Sequence, residues 1–158
     1  MDSIKTTRLY SEKIKSKRLA RIFAVQALYS FEAGCGPDVN VLILDVIELN
    51  TSIKKSKALN TRFLSTLVKG TIASIEALDQ KLSLYLAEDW ELHRIPQLVK
   101  NILRVALFEL THSNDLPSAV IINEYLEIAK FFIHEEDVGF MNGVLDSISK
   151  ERQALESA

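Results

Sequence analysis

Only five glycines and three prolines in 158 residues, five of these eight at breaks between long stretches of helically spaced apolar side chains, constrain this chain more than any other feature. Uninterrupted segments with an apolar period near 3.6 residues fold as amphipathic helices, so the class is all-α. From Lys17 to Phe31 the apolar positions Ala20, Phe23, Ala24, Ala27, Leu28 and Phe31 follow the i, i+3, i+4, i+7 order of one buried stripe. Gly34, Cys35, Gly36 and Pro37 end that helix. Asp38 is placed to cap a second helix reaching about Leu49, its carboxylate accepting from first-turn amides. Between Val39 and Ile47 the apolar density is high enough that a short strand competes.

Residues 50–57 are polar and read as a loop, and a third helix then runs from about Leu59 to Leu86. In it Phe63, Leu64, Leu67, Val68, Ile72, Ile75, Leu78, Leu82 and Leu86 keep the apolar period, with Gly70 inside it. A mid-helix glycine costs about 1 kcal/mol relative to alanine, so Gly70 implies close helix contact or a kink. The acids of residues 88–91 and Pro96 mark a break, after which a fourth helix carries Val99, Ile102, Leu103, Ala106, Leu107 and Leu110 to about Thr111. Pro96 suits its first helical position. Pro117 opens a fifth helix ending near Phe132, with Val120, Ile121, Tyr125, Ile128, Ala129 and Phe132 inward. Glu135, Glu136 and Asp137 suit the positive end of a sixth helix carrying Phe140, Met141, Val144, Leu145 and Ile148. Asn123 and Asn142, flanked by apolar residues, are expected to hydrogen-bond between helices.

A chain of this length buries roughly 70% of its unfolded surface and needs no covalent staple. The single Cys35 excludes an internal disulfide and a cysteine-based structural zinc site. No run approaches the ~18 apolar residues of a membrane span, and the start MDSIKTTRLYSEKIKSKR lacks the apolar core of a signal peptide, so the expectation is a soluble cytoplasmic protein. Catalytic signatures are missing, among them GxSxG, HExxH, CxxC and a phosphate-binding glycine loop. His93, His112 and His134 fall at helix ends or loops, where they serve as caps or face water. The acids at 88–91 and 135–137 lack the alternating spacing of a calcium loop. The expectation is therefore no enzyme, no catalytic residue, no metal and no cofactor.

A net charge of −2 taken alone argues against nucleic acid, but the average hides an asymmetry. Residues 1–21 hold seven bases against two acids, a net of +5, while the other 137 residues hold 12 bases and 19 acids, a net of −7. A basic arm on an acidic body attracts a polyanion at one end and repels it elsewhere; a solvated terminal tail is the alternative. Lys17, Arg18 and Arg21 crowd the apparent start of the first helix, where cations oppose the macrodipole unless a phosphate binds there. If the helix instead starts earlier, near Ser11, the same bases are ordinary mid-helix surface. Gln26 and Tyr29, at i and i+3, lie on one side of that helix. Tyr stacks on unpaired bases and Gln reads base edges, although Tyr29 also suits the margin of a core.

Three blocks together resemble the NusB family: the run ARIFAVQALY at 20–29, the run ILRVALFEL at 102–110, and INE at 122–124 with Ala129-Lys130 and FMNGVLD at 140–146. They stand in the family's order over about residues 17–150. The resemblance implies a bundle of about six to seven helices in two packed subdomains. Residues 1–16 would be a basic N-terminal extension and 17–158 one domain, with halves 17–86 and 87–158. It further implies pairing with NusE, a small-subunit ribosomal protein, to grip boxA-like single-stranded RNA within the RNA polymerase antitermination complex of ribosomal RNA operons. Whether the chain is a monomer or a homodimer stays open. On this resemblance Lys17, Arg18 and Arg21 would meet phosphates and Gln26 and Tyr29 would face bases. Glu136 stands where the family usually has an Asp near the RNA, and Phe140 would stack, although its spacing equally suits a core aromatic. There are departures: Val138-Gly139 stand where the family commonly has His-Lys, Ile133 where it often has Gly, Ile22 where it usually has Glu, and Val99 where an acid is frequent.

Two other readings compete. A helical adaptor that binds protein and not RNA would leave the arm as a tail. The same helical module also fronts certain ribosomal RNA cytosine methyltransferases, but no nucleotide-binding βαβ pattern follows here, so methyl transfer would need a separate subunit.

Overall fold

Among the described residues the regular structure is seven α-helices and one 3-10 turn, with no strand. This computed structural model describes residues 2–34, 38–50, 59–87, 91–113 and 115–157, and the side chains of those between 16 and 155. The expected loop at 51–57, Cys35 and the acids at 88 and 89 lie outside the described residues. None of the described helices is long and apolar enough to cross a membrane. The chain divides into two compact units, Met1–Lys69 and Gly70–Ala158.

In the first unit α1 spans Asp2–Glu32, so it begins well before both Lys17 and Ser11. Ala20, Phe23, Ala24, Ala27 and Leu28 are all buried, as the apolar period requires. Gly34 follows the helix with φ +76°, the left-handed conformation that closes a helix end and that a side chain resists. The Asp38 carboxylate accepts from the Asn40 amide at 2.9 Å and starts α2, Val39–Leu49. Leu42, Ile43 and Val46 are buried there, a helical and not an alternating pattern, and α2 packs on α1. At the start of α3, Thr61–Ala73, the Asn60 carboxamide accepts from the Phe63 amide at 2.9 Å. The Asn60 amide in turn donates to the Ser16 carbonyl of α1 at 3.5 Å.

The expected single helix from Leu59 to Leu86 is broken at Ser74 into α3 and α4, Ile75–Leu84. Ser74 sits at φ −109° and ψ 11°, with its amide shared between the carbonyls of Gly70 (3.1 Å) and Thr71 (3.2 Å). Gly70 itself is a close contact, because a Cβ there would overlap the Phe108 ring.

The second unit is arranged around α5, Gln97–His112, which packs against α4, α6 (Ser118–Phe132) and α7 (Glu135–Ser157). Every residue of α5 from Asn101 to Leu110 is buried. A 3-10 turn, Leu92–Arg94, precedes it and was not foreseen from the apolar spacing. Pro96 and Pro117 are N-caps and not first-turn residues: both have ψ near 140°, and their carbonyls accept from Lys100 and Ile121.

Buried polar groups in this unit are tied to one another. Arg104 on α5 makes two 2.7 Å bonds to the Asp79 carboxylate of α4, and its third nitrogen donates to the Asn101 carboxamide oxygen at 3.2 Å. The Tyr125 hydroxyl donates to Glu109 at 2.7 Å. Arg152 of α7 donates to the carbonyls of Leu110 and Ser113, closing the C-terminal end of α5. Two expectations fail here. Val120 and Phe132 are exposed, because the buried stripe of α6 runs through Ile121, Tyr125, Ile128 and Ala129. Asn123 and Asn142 do not join helices; both side chains face solvent along the groove between α6 and α7.

Candidate nucleic-acid interface

A helix beginning at Asp2 carries Lys17, Arg18 and Arg21 in its middle, several turns from its free amides. The macrodipole acts only within the first turn, so a phosphate site built on free helix amides at Lys17 is ruled out. What the helix does provide is a rotational order. Arg18, Ile22, Gln26 and Tyr29 fall within about 80° of one another at 100° per residue and form one stripe. Gln26 is exposed, Tyr29 is 54% exposed, and Arg18 and Ile22 are half-buried. This stripe offers a guanidinium, a carboxamide and a phenol to solvent along some 16 Å of helix at 1.5 Å per residue. The Gln26 carboxamide oxygen is only loosely tethered, accepting from Asn50 at 3.5 Å, while the same Asn50 nitrogen bonds the Val46 carbonyl at 2.8 Å.

Lys17 and Arg21, one turn apart, occupy the neighbouring side of α1. Their cationic groups lie 5.3 Å and 5.4 Å from the centroid of the Phe63 ring on α3. Lys17 is half-buried, whereas Arg21 is only 1% exposed. The guanidinium of Arg21 is therefore enclosed, and the accessible positive charge of this stretch belongs to Lys17 and Arg18. Sequence reasoning placed Phe63 in the core as one more apolar position of a helix. Its position beside two cations depends on contacts spanning more than forty residues, which no local pattern carries.

The remaining two candidates stand on α7 in the second unit. Glu136 is exposed in the first helical turn and Phe140, four residues on, is half-buried on the same face. Gly139 beside them is exposed, with open space where a Cβ would point. Five candidates thus share α1 of the first unit, and two share α7 of the second.

The histidines are occupied locally or exposed. His93 meets Glu91 at 3.1 Å in solvent, His112 reaches the Phe108 carbonyl at 3.0 Å and stacks on that ring, and His134 is exposed. No group of three or more metal-ligating side chains is assembled among the described residues.

The chain is similar to known proteins over most of its length. The family model described as the NusB family matches residues 18–150. The transcription antitermination protein NusB of Caulobacter vibrioides is 34% identical over 142 residues, covering 88% of this chain and 95% of that protein. Among solved structures, T. maritima NusB superposes with a TM-score of 0.74 at 30% identity, covering 85% of this chain and 91% of that one. A chain from a structure of the antitermination factors NusB and NusE in complex with dsRNA superposes with a TM-score of 0.71 at 25% identity, covering 86% of this chain and 97% of that one.

Proposed function

The chain belongs to the NusB family, and from that membership we propose that it is a transcription antitermination protein which binds boxA-like single-stranded RNA together with NusE. The observation that carries the reading is the match along nearly the whole length of a curated antitermination protein, which leaves no room in the matched region for a different domain. The exposed stripe of α1 supports it chemically. Lys17 and Arg18 meet phosphates, Gln26 faces base edges and Tyr29 offers a ring for stacking. On α7, Phe140 offers a second ring and Glu136 an acceptor for base amino groups. Arg21, enclosed beside Phe63, holds the helix surface in place beneath the phosphates. The RNA is held and not turned over, so no catalytic residue and no cofactor is needed. The protein works in the cytoplasm, as part of the assembly that lets RNA polymerase read through ribosomal RNA operons.

Titration of labelled boxA RNA and a scrambled RNA, with and without NusE and at two salt concentrations, tests this. Tighter, sequence-dependent binding in the presence of NusE is expected. Because the NusB–NusE neighbour was solved with dsRNA, a duplex of the same sequence belongs in the comparison. RNA binding that ignores sequence, or NusE binding with no RNA bound, would leave a protein adaptor as the better description.

A further inference from the structure

Lys17 and Arg21 sit one turn apart on α1, and like charges at that spacing repel. Both nevertheless converge on a single aromatic ring, Phe63, at 5.3 Å and 5.4 Å. The face of an aromatic ring carries negative potential, so a ring between or beneath two cations lowers the free energy of holding them close. Phe63 is itself held in register from both sides. The Asn60 carboxamide accepts the Phe63 amide at 2.9 Å, and the Asn60 amide reaches back to the carbonyl of Ser16, the residue preceding Lys17. Ring and cations are thus coupled by a short covalent and hydrogen-bonded path from α1 to the start of α3. A lysine has four rotatable bonds, and fixing it over a ring before an anion arrives reduces the ordering cost of binding.

We infer that Phe63 is a positioning residue for RNA: its ring gathers Lys17 and Arg21 into one preorganised cationic patch that receives a backbone phosphate. The inference rests on the RNA reading above and deepens it. Phe63 touches no RNA in this arrangement; it acts through Lys17. Arg21 is enclosed, and the half-buried Lys17 makes the contact. A neutral aliphatic side chain at 63 would preserve much of the packing and lose the attraction.

The test uses the full chain with NusE, labelled boxA RNA and scrambled RNA, and compares wild type with Phe63→Leu, Phe63→Tyr, Lys17→Ala and the double variant Phe63→Leu/Lys17→Ala. Thermal melts establish that each is folded, and Phe63→Met replaces the leucine variant if that one is not. Phe63→Leu should weaken boxA binding about twofold to fivefold, the range expected for losing the one partly exposed cation–π contact, that of Lys17. Phe63→Tyr should restore it, and the double variant should bind no more weakly than Lys17→Ala alone. Unchanged affinity in folded Phe63→Leu, failure of tyrosine to rescue, or additive losses in the double variant would each overturn the role of Phe63 while leaving the RNA reading intact. Wild type that does not distinguish boxA from scrambled RNA would overturn both.

Discussion

Arg104 carries a full charge into the second unit at 5% exposure, and Asp79 makes that tolerable by accepting two of its donors in a fork. Removing Asp79 takes the two shortest of these acceptors from a guanidinium that is almost out of water, although Asn101 still accepts from it. Asp79 is 27% exposed, so Asp79→Ala is expected to lower stability by about 1–3 kcal/mol in urea denaturation, with Asp79→Leu/Arg104→Met recovering most of the loss. Equal losses in the single and double variants would mean that packing, and not the lost ion pair, sets the cost. At Gly139 the expectation runs toward gained function. The site is open, so a lysine fits, and Gly139→Lys should steepen the salt dependence of RNA binding by about one unit, the effect of one added phosphate contact. Gly139→Ala should leave the slope alone while stabilising α7 by up to about 1 kcal/mol. The sequence flagged Gly139 through a family departure, but only the structure shows that the space beside it is empty.

Two glycines inside helices have opposite expectations because their surroundings differ. Gly70 faces Phe108 so closely that a Cβ would overlap the ring, and Gly70→Ala should destabilise by about 1–3 kcal/mol despite alanine's better helix propensity. Gly143 on α7 faces open space, and Gly143→Ala should raise stability by up to about 1 kcal/mol. Thermal melts of the two variants should move in opposite directions; a rise in both would show that Phe108 relaxes at little cost. The elements themselves were largely legible. The apolar period of α1, the Asp38 cap of α2 and the acidic first turn of α7 are local signals, and all three are observed. The break at Ser74 was not, because it arises four residues beyond Gly70 in a segment whose apolar period continues on both sides.

Across the whole molecule the net charge of −2 averages a +5 stretch in residues 1–21 against a −7 remainder, so RNA affinity should fall steeply with salt although the protein is acidic. Arg18→Ala should flatten the slope of log affinity against log salt by about one unit. Arg21→Ala should change that slope little and lower the melting temperature instead, since its guanidinium is enclosed. A slope change in Arg21→Ala equal to that of Arg18→Ala would place Arg21 among the direct phosphate contacts.

The sequence by itself determined the helical class, most helix positions and the family, because apolar period, caps and ordered motif blocks are properties of neighbouring residues. It also singled out α1 as the chemically unusual helix through its charge. What only the tertiary structure decided is the fate of individual polar and aromatic side chains. Arg21 looks like surface in the sequence and is buried; Asn123 and Asn142 look like interior and are exposed; Phe63 looks like core and is the ring beside Lys17 and Arg21. Period fixes which face a residue occupies, but what lies opposite that face is set by elements tens of residues away. The short basic stretch that first suggested a phosphate at a helix start is therefore, in the folded protein, a mid-helix surface organised by an aromatic ring from another helix.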